Sequence, residues 1–258
     1  MNLAGDSGYC REQQSGKIAG AMNPTLENKL SLDWTAISES LSSNGYALTG
    51  RLLSPAECAA LLSLYSDTGK FRSQVVMERY RFGKGDYKYF RYPLPPVVQQ
   101  LRESTYPHLA RIANLWRSQL LEPGSPFPDT HEEFLKRCNA GGQKLPTPLM
   151  LHYEPGGYNR LHQDIYGEIA FPLQIVVMLG QQGKDWSGGE FVLVENVPRA
   201  QSRAEAITVP EGHGIVFTTR HRPVKGSRGW YRAAVRHGVS RIRRGTRYTL
   251  GIVYHDAK

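Results

Sequence analysis

The stretch LMLHYEPGGYNRLHQD, residues 149–164, sets how this chain is read. Leu149 to Glu154 is an apolar and aromatic run of strand character, and Pro155-Gly156-Gly157 is a turn. A second extended run leads to His162 and Asp164. Side chains on a strand alternate with period two, so these two residues project from one face. Two ligands on one face can grip a metal ion, and a third must arrive from another strand. A set of two histidines and one carboxylate leaves three coordination positions free on Fe(II).

Outward from this stretch the pattern continues as strands. FPLQIVVMLG (171–180) is a buried apolar run, followed by the turn QQGKDWSGG and the strand EFVLVE. AEAITV, GIVFTT, YRAAVRHGV and YTLGIVYH complete the set with no ordinary helix between them. Seven or eight antiparallel strands in ~110 residues predict a double-sheet jelly roll. The fold class is α+β: a double-stranded β-helix core over 148–258, with N-terminal helices packed on it. Residues 29–147 read as helical support and a substrate lid, and polar, Gly/Ser-rich residues 1–28 as a flexible leader. In the support, 32–43 carries a helix pattern and NGYALTGRLL (44–53) a strand. Ser54-Pro55-Ala56-Glu57 then starts a helix with a capping box. A helix is expected over 97–120, kinked or broken at Pro107, and a short one over 131–139.

Five further features stand in order around the His-x-Asp pair. Tyr153 to Asp164 reads Tyr-x-x-Gly-x-Tyr-x-x-x-His-x-Asp; WSGGEFVLV and PEGHGIVF follow; then come His237 and, ten residues on, Arg247 before an apolar strand. This series resembles the Fe(II)/2-oxoglutarate oxygenases of the prolyl-hydroxylase-like pattern over roughly residues 148–256. More narrowly, YFRYPLPPVVQQLR, RAQSRAE, RHRPV and TLGIVYHDA resemble a bacterial group of 2-oxoglutarate/Fe(II) oxygenases from about residue 30 onward. That group's name has been linked with oxidative repair of alkylated DNA. The resemblance implies that His162, Asp164 and His237 hold Fe(II). It implies that Arg247 binds the far carboxylate of 2-oxoglutarate, helped by Tyr153, and that O2 is the co-reactant. The activity it implies is hydroxylation, or oxidative demethylation, coupled to decarboxylation of 2-oxoglutarate to succinate.

Competing assignments stay open at this level. His221 is an alternative distal ligand, with Arg228 or Arg232 as its carboxylate partner, and Arg244 competes with Arg247. His152 faces away from Tyr153 and reads as structural. His108 and His131 read as surface residues, His213 as part of an exposed turn, and His255 has no supporting context. A cupin with another metal, or a non-catalytic basic nucleic-acid-binding barrel, would share the strand pattern.

The primary substrate is not legible, but charge points to an anion. The net charge is +9, and 13 Lys/Arg against 3 Asp/Glu lie from Arg199 onward. Residues 70–92 interleave seven Lys/Arg with seven aromatics. Such a segment suits base stacking and phosphate contact, and it equally suits a sheet edge shielded by cations. Gly83-Lys84-Gly85-Asp86 fits its hairpin turn. Arg81, Tyr87, Tyr89, Arg91, Arg220 and His221 are the candidate substrate contacts. Arg199, Arg203, Arg220, Arg222, Arg228 and Arg232 are a possible basic patch at the barrel mouth. A nucleic-acid demethylase is one reading, although Arg241 to Arg247 matches the terminal segment of alkylation-repair demethylases poorly. The three cysteines form no zinc or disulfide pattern, which with the unremarkable N-terminus points to the cytoplasm. No segment suits a membrane span, and the oligomeric state is not legible.

Overall fold

The computed structural model describes residues 32–164 and 167–258; the expected leader, with Cys10, lies outside them. The described residues form four α-helices: α1 (Trp34–Asn44), α2 (Pro55–Leu64), α3 (Pro96–Gln119) and α4 (His131–Ala140). The strands before residue 148 are β1 (Tyr46–Arg51), β2 (Phe71–Val76), β3 (Gly83–Lys84) and β4 (Asp86–Phe90). After it come β5 (Leu149–Tyr153), β6 (Tyr158–His162), β7 (Leu173–Met178), β8 (Trp186–Gly188), β9 (Phe191–Asn196) and β10 (Arg203–Ile207). The series ends with β11 (His213–Thr218), β12 (His221–Gly226), β13 (Gly229–Val239), β14 (Ile242–Gly245) and β15 (Arg247–Ile252).

The larger sheet runs β1-β11-β7-β15-β5-β4-β2, the smaller β10-β9-β13-β6-β3 with β12 paired to β13. All the pairings are antiparallel. Strand alternation divides the larger sheet's two faces. Leu173, Ile175 and Val177 of β7 and Leu250 and Ile252 of β15 join the helices in one apolar core. Residues of the opposite parity, such as Tyr153 and Met178, join Phe191, Leu193, Phe217 and Val235 in a second core between the sheets. The candidate site belongs to this inner layer.

Local sequence explains the helix starts. Ser54 and Glu57 exchange hydrogen bonds in the capping box that opens α2. α3 runs through Pro107 without a break, so of the kink or break expected from the sequence the break does not occur. The bond it deletes would have used the carbonyl of Glu103, an exposed residue, while Val98, Leu101, Tyr106, Leu109 and Trp116 hold the other face in the core. Residues 70–92 also differ from a simple hairpin. β2 and β4 pair with each other at the edge of the larger sheet, but Gly83–Lys84 is a short strand of the smaller sheet, paired with β6.

The chain's last turn is tied to α3 by charge. Arg102, fully buried, donates to the carbonyls of Val253 and Tyr254 and to the Asp256 carboxylate at 2.7 Å. Two histidines lie here: His131, read from the sequence as a surface residue, and His255, for which the sequence offers no context. His131 is 3 % exposed and its Nε2 lies 2.9 Å from the Tyr254 carbonyl; His255 is 2 % exposed and its Nδ1 accepts from the Phe171 amide. His213, expected in an exposed turn, starts β11 and is half-buried. His152 is structural as expected, bonded to Asp86 at 2.7 Å and stacked on Tyr248. His108 stacks on Trp34. Among the described residues, no helix is long and apolar enough to cross a membrane.

Burial, with Arg102 nearby, pushes His131 down to about 3 and His255 down to about 4. Both are neutral when folded but take up a proton near pH ~6.5 when unfolded. Stability is therefore full above pH ~6.5 and falls as the pH drops toward 4, by about 1.4 kcal/mol per unit for each histidine. Melting curves of wild type and His131→Gln between pH 7 and 4.5 check this. The variant should lose part of the wild-type slope.

Candidate active site

β6 and β13 pair with His162 directly opposite His237. Asp164, just past β6, has its amide bonded to the Thr219 carbonyl, which fixes the chain where the side chain turns inward. Its two oxygens each meet one imidazole: Oδ1 lies 3.4 Å from His162 Nε2 and Oδ2 lies 3.3 Å from His237 Nε2. One potential ligand atom from each residue lies within 4.8 Å of the others. Gln174 on β7 donates to Asp164 Oδ2 at 2.5 Å. His162 Nδ1 donates to the Arg160 carbonyl at 2.7 Å, which orients the ring and leaves the Nε2 lone pair to act as a metal ligand beside Asp164. The His237 ring is packed by Phe191 and Phe217, and its Nδ1 is buried without a partner. Burial would raise Asp164, but the two imidazoles outweigh it and hold the carboxyl well below its usual range.

This donor set fits a divalent transition metal. Neighbouring ligands at ~2.1 Å from one ion stand about 3 Å apart, close to the spacings here. Two imidazoles and one carboxylate, with the remaining side open to a cavity, form the arrangement that suits Fe(II).

That cavity has a volume of about 300 Å³ and reaches inward to Arg247 and Tyr153. Arg247 is 1 % exposed, and its Cα pairs with that of Tyr153 across β15 and β5. The guanidinium lies 5.5 Å from the Tyr153 ring. No described acid lies within ion-pair distance of it; Nη2 meets only the Met178 sulfur at 3.7 Å, and Nε has no partner. The buried Tyr153 hydroxyl also lacks a hydrogen-bond partner. Burial pulls Arg247 down to about 10 and pushes Tyr153 up to about 12. Gly189 makes room for this arginine: it has φ +66°, and a Cβ there would stand 2.2 Å from Ile242 and 3.1 Å from the Arg247 side chain. Arg244, its sequence competitor, is exposed on β14.

The substrate candidates divide. Tyr87 and Tyr89 on β4 line the cavity, and Arg81 lines an adjoining hollow with Phe82, Arg160 and His162. Arg91 is exposed and lines neither. Arg220 and His221 line a different hollow with Glu122 and Arg232, and His221 Nε2 is bonded to Glu122 at 2.9 Å. His221 thus has an acid partner of its own, away from the triad. Half of the basic patch has acid partners: Arg222 is buried against Glu195, Arg203 meets Glu195 and Glu205, and Arg232 meets Glu122, while Arg199, Arg220 and Arg228 form no ion pair with a described acid. The sequence reading missed Gln174, Asn159 and Arg72, all of which line the cavity. Gln174 was discoverable, since it has the inward parity of β7; Arg72 lies at a β-bulge, where parity fails.

Residues 85–257 match the Oxygenase-NA family model, described as "Oxygenase, catalysing oxidative methylation of damaged DNA". The chain belongs to this oxygenase family. Chains from two strains of Mycobacterium tuberculosis, each named an uncharacterized protein, are 50% identical to this oxygenase over 168 residues, 65% of its length and 72% of theirs. Among solved structures, a Pseudomonas putida prolyl-4-hydroxylase superposes with a TM-score of 0.51 at 16% identity, covering 87% of this oxygenase and 100% of that chain. The non-heme α-ketoglutarate-dependent epimerase SnoN from nogalamycin biosynthesis gives 0.52 at 13%, covering 86% and 82%. At such identities the likeness concerns the fold, the jelly roll of 2-oxoglutarate oxygenases. The family makes this chain an oxygenase, an oxidoreductase; its fold is that of the 2-oxoglutarate oxygenases, and its His162, Asp164 and His237 set fits a divalent metal such as Fe(II).

An uncompensated guanidinium in an inner core costs stability. Arg247→Met keeps the packing volume and removes the charge, so the metal-free variant should melt higher than wild type, by about 1–3 kcal/mol in stability. Thermal denaturation of both apo-proteins measures this.

Proposed function

We propose that His162, Asp164 and His237 hold Fe(II), that Arg247 and Tyr153 bind the far carboxylate of 2-oxoglutarate, and that the substrate is a methylated base of damaged DNA. The observation that carries the cofactor reading is the pairing of two unusual features in one cavity. One is a converged His-Asp-His set; the other is a buried arginine with no acid partner. A planar guanidinium with free N–H groups matches a carboxylate by two parallel, charge-assisted bonds.

Bound Fe(II), with 2-oxoglutarate and O2, supplies the oxidising power that converts a substrate C–H to C–OH while 2-oxoglutarate becomes succinate and CO2. The chain's own residues bind, orient and seclude. Gln174 holds the Asp164 carboxylate by donating to Oδ2, and the Arg160 carbonyl fixes the His162 tautomer. Phe191 and Phe217 close the side of the centre behind His237. Arg247 anchors the cosubstrate so that its reactive end faces the triad.

The DNA reading is supported by the family's description and by the rim beside His162. There Tyr80 and Phe82 stack on each other, both exposed, next to Arg81 and Arg160. Exposed rings with neighbouring cations suit bases and phosphates of a single strand or of an extruded nucleotide. Oxygenase chemistry adds oxygen to an existing C–H. On an N-methylated base the product hydroxymethyl group leaves as formaldehyde, so the outcome for this chain is methyl removal. Cys58 and Cys138 are free and buried, which supports a reducing compartment, the cytoplasm.

Purified protein supplied with Fe(II), 2-oxoglutarate and O2 should form succinate slowly alone and faster with N-methylated single-stranded DNA, releasing formaldehyde. His162→Ala and Asp164→Ala should abolish both, and Arg247→Met should weaken 2-oxoglutarate binding about a hundred-fold. Stimulation by a peptide and not by methylated DNA would overturn the substrate assignment. Absence of succinate in every case would overturn the enzyme assignment for this site.

A further inference from the structure

The cavity holds a second arginine that the cofactor scheme leaves unused. Arg72 on β2 lines it together with Thr147, Val253 and Ala257. Its Nε donates to the Pro146 carbonyl at 2.9 Å, and its guanidinium lies 4.6 Å over the Tyr89 ring. One edge of the fork is thereby fixed and one face covered, leaving the terminal nitrogens as the free donors. No described acid lies within ion-pair distance of them. The carboxylate that acts on it through space, Asp256, is engaged by Arg102 and by the Tyr92 hydroxyl. Burial lowers Arg72 from its ordinary value, as expected for a cation drawn partly out of water without a partner.

The registers place the two arginines at opposite ends. Tyr153 of β5 stands opposite Arg247, whereas Leu149 stands opposite Gly251 on one side and Tyr89 on the other. Tyr153 and Leu149 are four residues apart, about 13 Å along the strand. Each end therefore carries an arginine packed on a tyrosine ring, Arg247 on Tyr153 and Arg72 on Tyr89. One dicarboxylate held at Arg247, with its reactive end toward the triad, does not also satisfy a cation beyond the opposite end of the cavity.

We propose that Arg72, held by Pro146 and Tyr89, is a specificity residue that binds one phosphate of the substrate strand next to the base presented to the triad. This rests on the DNA reading above and deepens it. A preorganised guanidinium at the substrate end favours an anionic phosphodiester and leaves a free methylated base or an uncharged peptide facing an unpaired, half-buried cation. The rim residues Arg81, Arg160, Tyr80 and Phe82 then meet the flanking nucleotides.

The test is oxygen-free binding, by fluorescence anisotropy at ~50 mM salt, where phosphate contacts are strongest. The probe is a single-stranded oligonucleotide with one N-methylated base, added to the protein with Fe(II) and 2-oxoglutarate. Arg72→Gln should weaken binding about ten-fold or more, and Arg72→Lys less, because it keeps the charge but not the fork. Replacing the flanking phosphates one at a time by neutral methylphosphonates should reveal one position where wild type suffers a similar loss. At that position Arg72→Gln should lose nothing further. This scan also reads Arg72 in the unaltered wild-type fold. The inference is overturned if Arg72→Gln binds like wild type, or if the two losses multiply at every position. It is likewise overturned if Arg72 governs binding of an acidic peptide while the oligonucleotide is ignored. Failure of wild type to bind the oligonucleotide at all sinks the DNA reading itself, a result distinct from tight binding that is indifferent to Arg72.

Discussion

A carboxylate held between two imidazoles organises the inner half of this molecule. Asp164 has one oxygen against His162 and the other against His237, and the two histidines come from strands 75 residues apart in sequence. What brings them together is the β6–β13 pairing, with His237 opposite His162. A slip of one residue would turn His237 to the other face of its strand. The register is secured by the apolar residues that share the inner parity of β13, Val235 and Val239, and by the partner strand β9 on the other side. Hydrophobic burial therefore fixes where the polar groups meet.

The same alternation explains how one sheet serves two purposes. On β15, Leu250 and Ile252 join the helical layer, while Arg247, Thr249 and Gly251 face the cavity. The outer parity stabilises the fold and the inner parity carries chemistry. That inner surface keeps several polar atoms unsatisfied: Arg247 Nε, the Tyr153 hydroxyl and His237 Nδ1. Folding leaves such atoms unpaired at a cost, and ligands recover it. The protein is thus built to be less stable empty than its core would allow.

Much of this was legible in the sequence for a physical reason. Strand parity is local, so Tyr153 turned away from His152 follows from spacing alone, whereas Asp164 lies past the end of β6 and its inward turn depends on the tertiary bond from its amide to the Thr219 carbonyl. The assignment of His237 over His221 needed the later Arg247, and the structure supplies the separate reason that His221 is engaged by Glu122. What escaped is what depends on tertiary contact. His131 and His255 carry no sequence mark of burial, because it is Arg102, over a hundred residues from His255, that gathers the C-terminal segment around them. Charge counts also misled: Arg222, counted toward an open basic patch, is buried against Glu195. Arg72 looked like one of seven interleaved cations, and only the β2–β4 pairing sets it at the cavity.

The most direct measurement is anomalous diffraction from crystals grown with Fe(II) and 2-oxoglutarate without oxygen. The account predicts a single strong iron peak among His162 Nε2, the Asp164 carboxylate and His237 Nε2, with 2-oxoglutarate reaching from it to Arg247. Iron bound elsewhere, for instance at His221 and Glu122, or 2-oxoglutarate bound away from Arg247, would contradict it.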